Sequence, residues 1–374
     1  MLSKLLRPFE LALRHFIVYP SLRLVLGNKS HSDCIDLKLV RKMLIFRQDR
    51  IGDMVITTPL LRKFKKVNPG MKLVVLASPL NADIIKYNPH VDRIIIRQSG
   101  FLPAVKQIMA LRREKFDVLL NLIFNRTTTI GILARLVCPR SIKISQGPEK
   151  YSFYFNHFLT LERGRKHMGE LYIELAEQVF NIRFKPEEFR YQIFLPPDVN
   201  EQIDRYLGKQ KSEINATGKK YIVFNISATV PRNSLSARQI IKILKYLTRD
   251  STKPVIMISA PGDNGLKKRL HRNVGSSSCF LFPVEGSADL LSVAALIKQA
   301  AFVITPDTAI VHVASATKTP VISMYTPLQY PAEWFPFRVD NITLMADPGQ
   351  PVAKIDIKKI FSAIDSYVTR FMME

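Results

Sequence analysis

A chain of 374 residues, 47% of them hydrophobic, exceeds one typical domain and has apolar surface enough for two cores. Its 55 Lys and Arg against 31 Asp and Glu leave a formal charge of +24, which favours anionic partners: phosphorylated sugars, anionic lipid or nucleic acid. Cys34, Cys138 and Cys279 have neither metal nor redox spacing, so a disulfide scaffold is excluded and a reducing, cytoplasmic compartment is expected.

Residues 1–40 form a basic amphipathic segment. Over residues 1–30, Lys4, Arg7, Arg14, Arg23 and Lys29 oppose Glu10 alone, with Leu5, Leu6, Phe9, Leu13, Phe16 and Ile17 between them. The charges speak against a signal peptide and a spanning helix. Two readings remain: a helix lying in a membrane interface, or one packed on the domain with its basic face in water.

A first domain is expected over residues 41–195. Lys42–Arg47, Lys72–Ala77, Arg93–Arg97 and Phe116–Leu122 read as strands. Met54–Lys66, Pro79–Tyr87, residues 103–114 and His167–Phe180 read as helices. The Pro-rich, polar stretch around Pro196 marks a boundary, and a second domain follows over 196–350. Its strands are Tyr221–Ile226, Pro254–Ser259, Cys279–Phe282, Ala301–Thr305 and Val321–Tyr325, and its helices Ser236–Tyr246, Asn264–Leu270 and Ala288–Lys298. Residues 351–374 supply a last helix, expected to reach back toward the first domain. Strands alternating with helices predict an α/β protein with two doubly wound parallel sheets. Ligands in such sheets sit beyond the carboxyl ends of the strands, so loops 47–54, 226–236, 259–265 and 305–309 carry the candidate site.

Two of those loops hold chemistry. Phe302–Thr305 is a buried strand, and Pro306, Asp307 and Thr308 lead into a helix whose free N–H groups suit an anion. Between the first strand and helix lies Arg50-Ile51-Gly52-Asp53. Gly52 lets a ligand approach the backbone, and the Asp53 carboxylate at a cleft mouth can take the proton of an incoming hydroxyl. Each Asp would serve equally as a helix cap. No G-x-G-x-x-G, P-loop, D-x-D, G-x-S-x-G or histidine cluster is present, so no dinucleotide, cofactor or metal is implied. His90, His157 and His271 stand alone and read as structural. Trp334 reads as packing beneath a Pro-rich loop or as lining the cleft, and Arg62, Lys63, Lys65 and Lys66 as a solvated helix face.

The segments Arg47–Arg62 (RQDRIGDMVITTPLLR) and Val303–Pro327 (VITPDTAIVHVASATKTPVISMYTP), in that order, resemble the bacterial heptosyltransferase family. His167–Ala176 (HMGELYIELA) is similar to the helix closing that family's first domain. The resemblance spans about residues 40–370. It implies a GT-B fold, two Rossmann-like domains facing a cleft, and inverting, metal-independent transfer from ADP-heptose to an anionic lipopolysaccharide core. Asp53 matches the family's proposed base, with Arg50 and Gly52 on the acceptor side. Asp307 matches a residue holding sugar hydroxyls, Thr308, Ala309 and His312 the diphosphate helix, Thr229 a phosphate contact, and Asp263 an acidic position near the ribose. Two positions depart from the pattern. Ala309 replaces a Gly, and Asn233 stands where the family has a basic residue, with Arg232 adjacent. The expected partners are a nucleotide-sugar and a glycolipid at the cytoplasmic face of the inner membrane, not nucleic acid. Other readings are a different sugar donor and a non-catalytic glycolipid- or nucleic-acid-binding protein.

Overall fold

A computed structural model describes residues 19–29, 33–124, 127–160, 164–209, 220–249, 254–275, 277–327 and 331–372. The N-terminal segment's first eighteen residues lie outside those described. In the first half the strands are β1 (Lys42–Arg47), β2 (Lys72–Ala77), β3 (Arg93–Ile96), β4 (Val118–Asn121), β5 (Ile142–Gln146) and β6 (His157–Leu159). They pair in the order β3-β2-β1-β4-β5-β6, all parallel. The second sheet holds β7 (Ile222–Asn225), β8 (Val255–Ile258), β9 (Cys279–Leu281), β10 (Phe302–Pro306), β11 (Val321–Tyr325) and β12 (Asn341–Met345). Its order, β12-β11-β10-β7-β8-β9, repeats the winding of the first. Each sheet reverses direction between its first and fourth strands, the Rossmann arrangement.

Side-chain alternation builds the layers. On β1, Met43 and Ile45 face one core, where α2 (Ile51–Val67) and α5 (Met168–Phe180) pack. Leu44 and Phe46 face the other, under α3 (Phe101–Arg113) and α4 (Thr127–Val137). Leu22 of α1 (Tyr19–Leu26) packs against this second core. The second sheet is covered by α6 (Pro197–Lys209), α7 (Ala237–Leu247), α8 (Asn264–Val274), α9 (Leu290–Gln299) and α10 (Ala309–Thr317).

Helix α2 carries Pro59 in its interior, which removes the donor for the Val55 carbonyl. The Thr58 hydroxyl donates to that carbonyl at 2.7 Å and accepts the Gln192 N–H at 3.0 Å, tying the helix to the chain that leaves the domain. The basic row on α2 is not a solvated patch. Lys63 and Lys66 each reach Glu188 at 2.8 Å, Arg62 donates to the Glu188 carbonyl, and Lys65 pairs with Asp92.

Other expectations also need correction. Pro79–Tyr87 contains only a short 3₁₀ turn, Ala82–Ile85. Strands β5, β6 and β12 and helices α4 and α6 were not legible as separate elements. The final helix, α11 (Ile357–Met372), does not reach back to the first domain. Its stripe of Ile360, Ile364, Tyr367 and Val368 joins the second core, Phe361 stacks on Tyr246 at 3.8 Å between centroids, and Tyr367 donates to Asp340 at 2.7 Å. The stripe shows that the helix must bury one face, but not against which sheet. Among the described residues no helix is long and apolar enough to cross a membrane.

Candidate active site

The carboxyl ends of the two sheets face each other across a cleft of ≈ 280 Å³. Arg50 and Leu80 line it from the loops after β1 and β2, and Gly52 and Asp53 from the first turn of α2. Thr229, Asn233, Asp307 and Thr308 line it from the loops after β7 and β10, and Ala309 and His312 from the start of α10. These loops flank each sheet's reversal point. A larger hollow of ≈ 600 Å³, bounded by Glu187, Arg190, Lys318 and Arg338, abuts the amino ends of β11 and β12, away from the strand ends where ligands of such sheets sit.

Arg47, the last residue of β1, organises the first-domain side and is wholly buried. Its guanidinium donates to Asp53 Oδ1 at 3.3 Å, to the Asp53 carbonyl at 3.0 Å, to Asp49 at 3.1 Å and to Tyr172 Oη at 2.6 Å. It also donates to the Leu122 carbonyl just past β4, bridging the reversal point. Burial alone would pull Arg47 down, but Asp49, Tyr172 and Asp53 outweigh it, so the guanidinium stays charged. Asp53 is thus a nearly buried carboxylate in the first turn of α2, fixed on one oxygen by a buried cation. Burial pushes the neighbouring Asp49 carboxyl up to about 6 against the pull of Arg47, and the Asp53 charge pushes the same way as burial.

The second-domain side is built alike. Asn225 at the end of β7 donates to Thr305 at 3.0 Å and Thr308 at 3.3 Å across the reversal point. Thr308 caps α10, its hydroxyl accepting the Ile310 N–H at 3.3 Å. The first-turn N–H groups of α10 are left facing the cleft end of the helix, as any helix start leaves them. Asn233 donates to Asp307 Oδ2 at 3.0 Å and accepts from Thr326 at 2.9 Å, so both ends of its amide are occupied. Burial raises Asp307 to about 6, while Arg50 from the opposite domain and the Asn233 amide pull it down.

The two sides touch at Gly52. A Cβ there would stand 2.5 Å from Cδ2 of the buried His312. Burial holds the His312 imidazole down at about 3, with His167 adding to the effect, so the ring is neutral and its Nδ1 has no hydrogen-bond partner.

Residues 105–361 match the family described as Glycosyltransferase family 9 (heptosyltransferase). The chain belongs to glycosyltransferase family 9. It is similar to lipopolysaccharide heptosyltransferase 3 of Escherichia coli, 24% identical over 286 residues, covering 73% of this chain and 80% of that protein. Among solved structures, a family 9 glycosyl transferase from Veillonella parvula superposes with a TM-score of 0.76 at 18% identity, over 90% of this chain and 99% of that one. Heptosyltransferase WaaC of E. coli, solved with ADP, superposes at 0.66 with 19% identity, over 87% and 99% of the respective chains. Those likenesses establish the GT-B fold, two Rossmann-like domains about a cleft.

The family 9 cleft gathers every expected site residue except two. Arg232 is exposed and does not line it, and Asp263 sits at the start of α8, also off the lining. Trp334 lines the cleft and packs partly on the first core. Sequence reasoning missed Arg47, Asp49, Tyr172 and Asn225 as supports. Arg47 left one trace, a charge closing the apolar run MLIF. Among the described residues no group of three or more His, Cys, Asp or Glu is placed to hold a metal.

Proposed function

We propose that this glycosyltransferase moves heptose from ADP-heptose to an anionic lipopolysaccharide core, with inversion and without a metal. The observation that carries the reading is the pairing of a fixed carboxylate on one domain, Asp53, with the start of α10 on the other, within one cleft. The acceptor hydroxyl attacks the anomeric carbon while Asp53 takes its proton. The bond from that carbon to the diphosphate oxygen breaks, and ADP leaves with the electron pair. One displacement inverts the configuration. Asp307, held by Asn233, accepts from sugar hydroxyls, and the N–H groups at Thr308 and Ala309 receive the diphosphate. Asp263 is left for the ribose and Thr229 for a phosphate.

Arg232 is a poor candidate for the charge missing at Asn233, because it is exposed and off the cleft. Arg50 is the better one. Among the described residues it is the single Lys or Arg lining the cleft, and its field already reaches Asp307. On this reading Arg50, expected on the acceptor side, serves the leaving diphosphate from across the cleft. Ala309, whose methyl group takes room beside the phosphates, keeps a second nucleotide-sugar donor as the alternative to test in the same assay.

The test is ADP release from ADP-heptose, with and without deacylated core, in wild type, Asp53→Ala and Arg50→Ala. Asp53→Ala should lower acceptor-dependent release by about 10²–10⁴-fold and leave ADP binding intact. Arg50→Ala should weaken ADP binding and cost roughly 10²-fold in turnover. Unchanged turnover in Asp53→Ala would overturn the mechanism, and an inactive wild type that binds ADP would overturn the donor sugar.

A further inference from the structure

One layer of the first domain has a surface composition that the transfer reaction does not require. Helices α1, α3 and α4 cover the same face of the first sheet, packing on the core beneath Leu44 and Phe46. Their sequences, YPSLRLVL, FLPAVKQIMALRR and TTTIGILARLV, contain Arg23, Lys106, Arg112, Arg113 and Arg135 and no acidic residue. On the opposite face Glu170, Glu174 and Glu177 of α5, with Asp53, balance Arg62, Lys63, Lys65 and Lys66 of α2. The positive charge is therefore sided.

Helix α3 shows what that side is suited to. Leu111 is its only buried residue, and the outward face is apolar: Phe101 is 81% exposed, Leu102 69%, Met109 51% and Val105 37%. At 3.6 residues per turn these four fall within an arc of about 100°, with Lys106 and Arg113 along its border. Leu24 and Val25 of α1 stand exposed on the same layer. Large apolar side chains held in water on a helix that is basic and lacks acids match a helix lying in the interface of an anionic bilayer. A protein partner would need acidic side chains to answer the same cations, whereas an anionic bilayer answers both the charge and the exposed apolar side chains.

The position also fits. Gly100, at φ +88°, turns the chain from β3 into α3, so Phe101 and Leu102 stand at the carboxyl end of the sheet. That is the end where Leu80, itself exposed, rims the cleft beside Asp53. We propose that the α1–α3–α4 layer is the face by which the protein lies on an anionic lipid surface. Phe101, Leu102, Val105 and Met109 enter the headgroup region, and the first-domain rim of the cleft turns toward the membrane. The purpose of such an arrangement rests on the reading of a lipid-borne acceptor, but the binding itself does not.

The experiment is co-sedimentation of the full chain with phosphatidylglycerol-containing and with pure phosphatidylcholine vesicles. Wild type is compared with Phe101→Ser/Met109→Ser and with Arg112→Ser/Arg113→Ser, and analytical ultracentrifugation without vesicles runs alongside. Wild type should bind the anionic vesicles, the first pair should lose about tenfold or more in affinity, and the second should lose binding most at low salt. All proteins should release ADP equally with a soluble, deacylated acceptor, so a failure of the transferase reading appears separately from a failure of docking. Undiminished vesicle binding by Phe101→Ser/Met109→Ser overturns the proposal. So does a wild-type dimer that this variant dissociates while vesicles bind neither protein, since the face would then join two copies of the chain.

Discussion

Asp307 and Asn233 make the residue-scale case for a pH-sensitive donor site. In the proposed mechanism Asp307 accepts from sugar hydroxyls, which it does best as a carboxylate. With its titration raised to about 6 by burial, turnover should fall as the pH drops through that value. Asp49 titrates near the same point, so the wild-type profile alone does not separate the two. The Asn233 amide does, because it donates to Asp307 at 3.0 Å. A hydrogen bond to a charged group is worth ~1.5–3 kcal/mol, so Asn233→Ala should move the acid limb of kcat/KM upward by about one to two pH units. The stability linkage runs the other way from turnover. The protonated folded state is favoured, so this contribution is full below the ordinary value of 3.8 and is lost as the pH rises through about 6. An acid limb that stays in place in Asn233→Ala would assign it to Asp49 instead. Asp53, Asp307 and Thr308 were legible in the chain because strand, turn and helix start are all local in sequence. Arg47 and Tyr172 were not, since their contact joins residues 125 positions apart and no local pattern encodes it.

At the scale of elements, the domains meet where α2 and α10 bring their first turns together. Gly52 is small for a steric reason as well as for access to a ligand. Replacing a helical Gly by Ala ordinarily stabilises by roughly 0.5–1 kcal/mol. Here the new methyl would stand 2.5 Å from Cδ2 and 3.3 Å from Nε2 of a ring that is buried and cannot swing aside. Overpacking of this kind costs about 1–3 kcal/mol, so the clash outweighs the propensity. Gly52→Ala should therefore melt lower than wild type and turn over more slowly, by opening the cleft. His312→Ala added to it should restore part of the stability, because the ring that is struck has gone. If Gly52→Ala melts as high as wild type in scanning calorimetry, the two helices are not in this contact in solution. The winding of each sheet followed from alternating patterns. The edge strands β6 and β12 did not, being short and flanked by polar residues: His157–Leu159 spans one turn of the pleat, and Asn341–Met345 is only half-buried.

Over the whole molecule, the two halves are more than neighbours across a cleft. The chain after β11 returns to the first domain, and Phe337 is buried in the first core although it belongs to the second half of the sequence. Its ring lies 4.5 Å from that of His167 and 5.1 Å from that of Tyr191, both first-domain residues. Its N–H donates to Ser315 of α10 at 3.0 Å, and the neighbouring Phe335 carbonyl meets His167 Nε2 at 3.0 Å. Glu333 accepts from the Gly164 N–H at 2.8 Å in the same segment. One short stretch therefore fixes the angle between the α10 anion site and the Asp53 loop. It also couples the unfolding of two domains that each have a core of their own. Removing a buried phenyl ring costs ~3–5 kcal/mol, here charged to the contact between domains rather than to either sheet. Phe337→Ala should accordingly split a single calorimetric transition into two, with ADP raising only the one that contains α10. Phe337→Leu, which keeps apolar volume, should retain a single transition. If Phe337→Ala still unfolds in one step, the coupling runs through α2 and α10 alone, and Gly52 rather than Phe337 sets the geometry of the cleft.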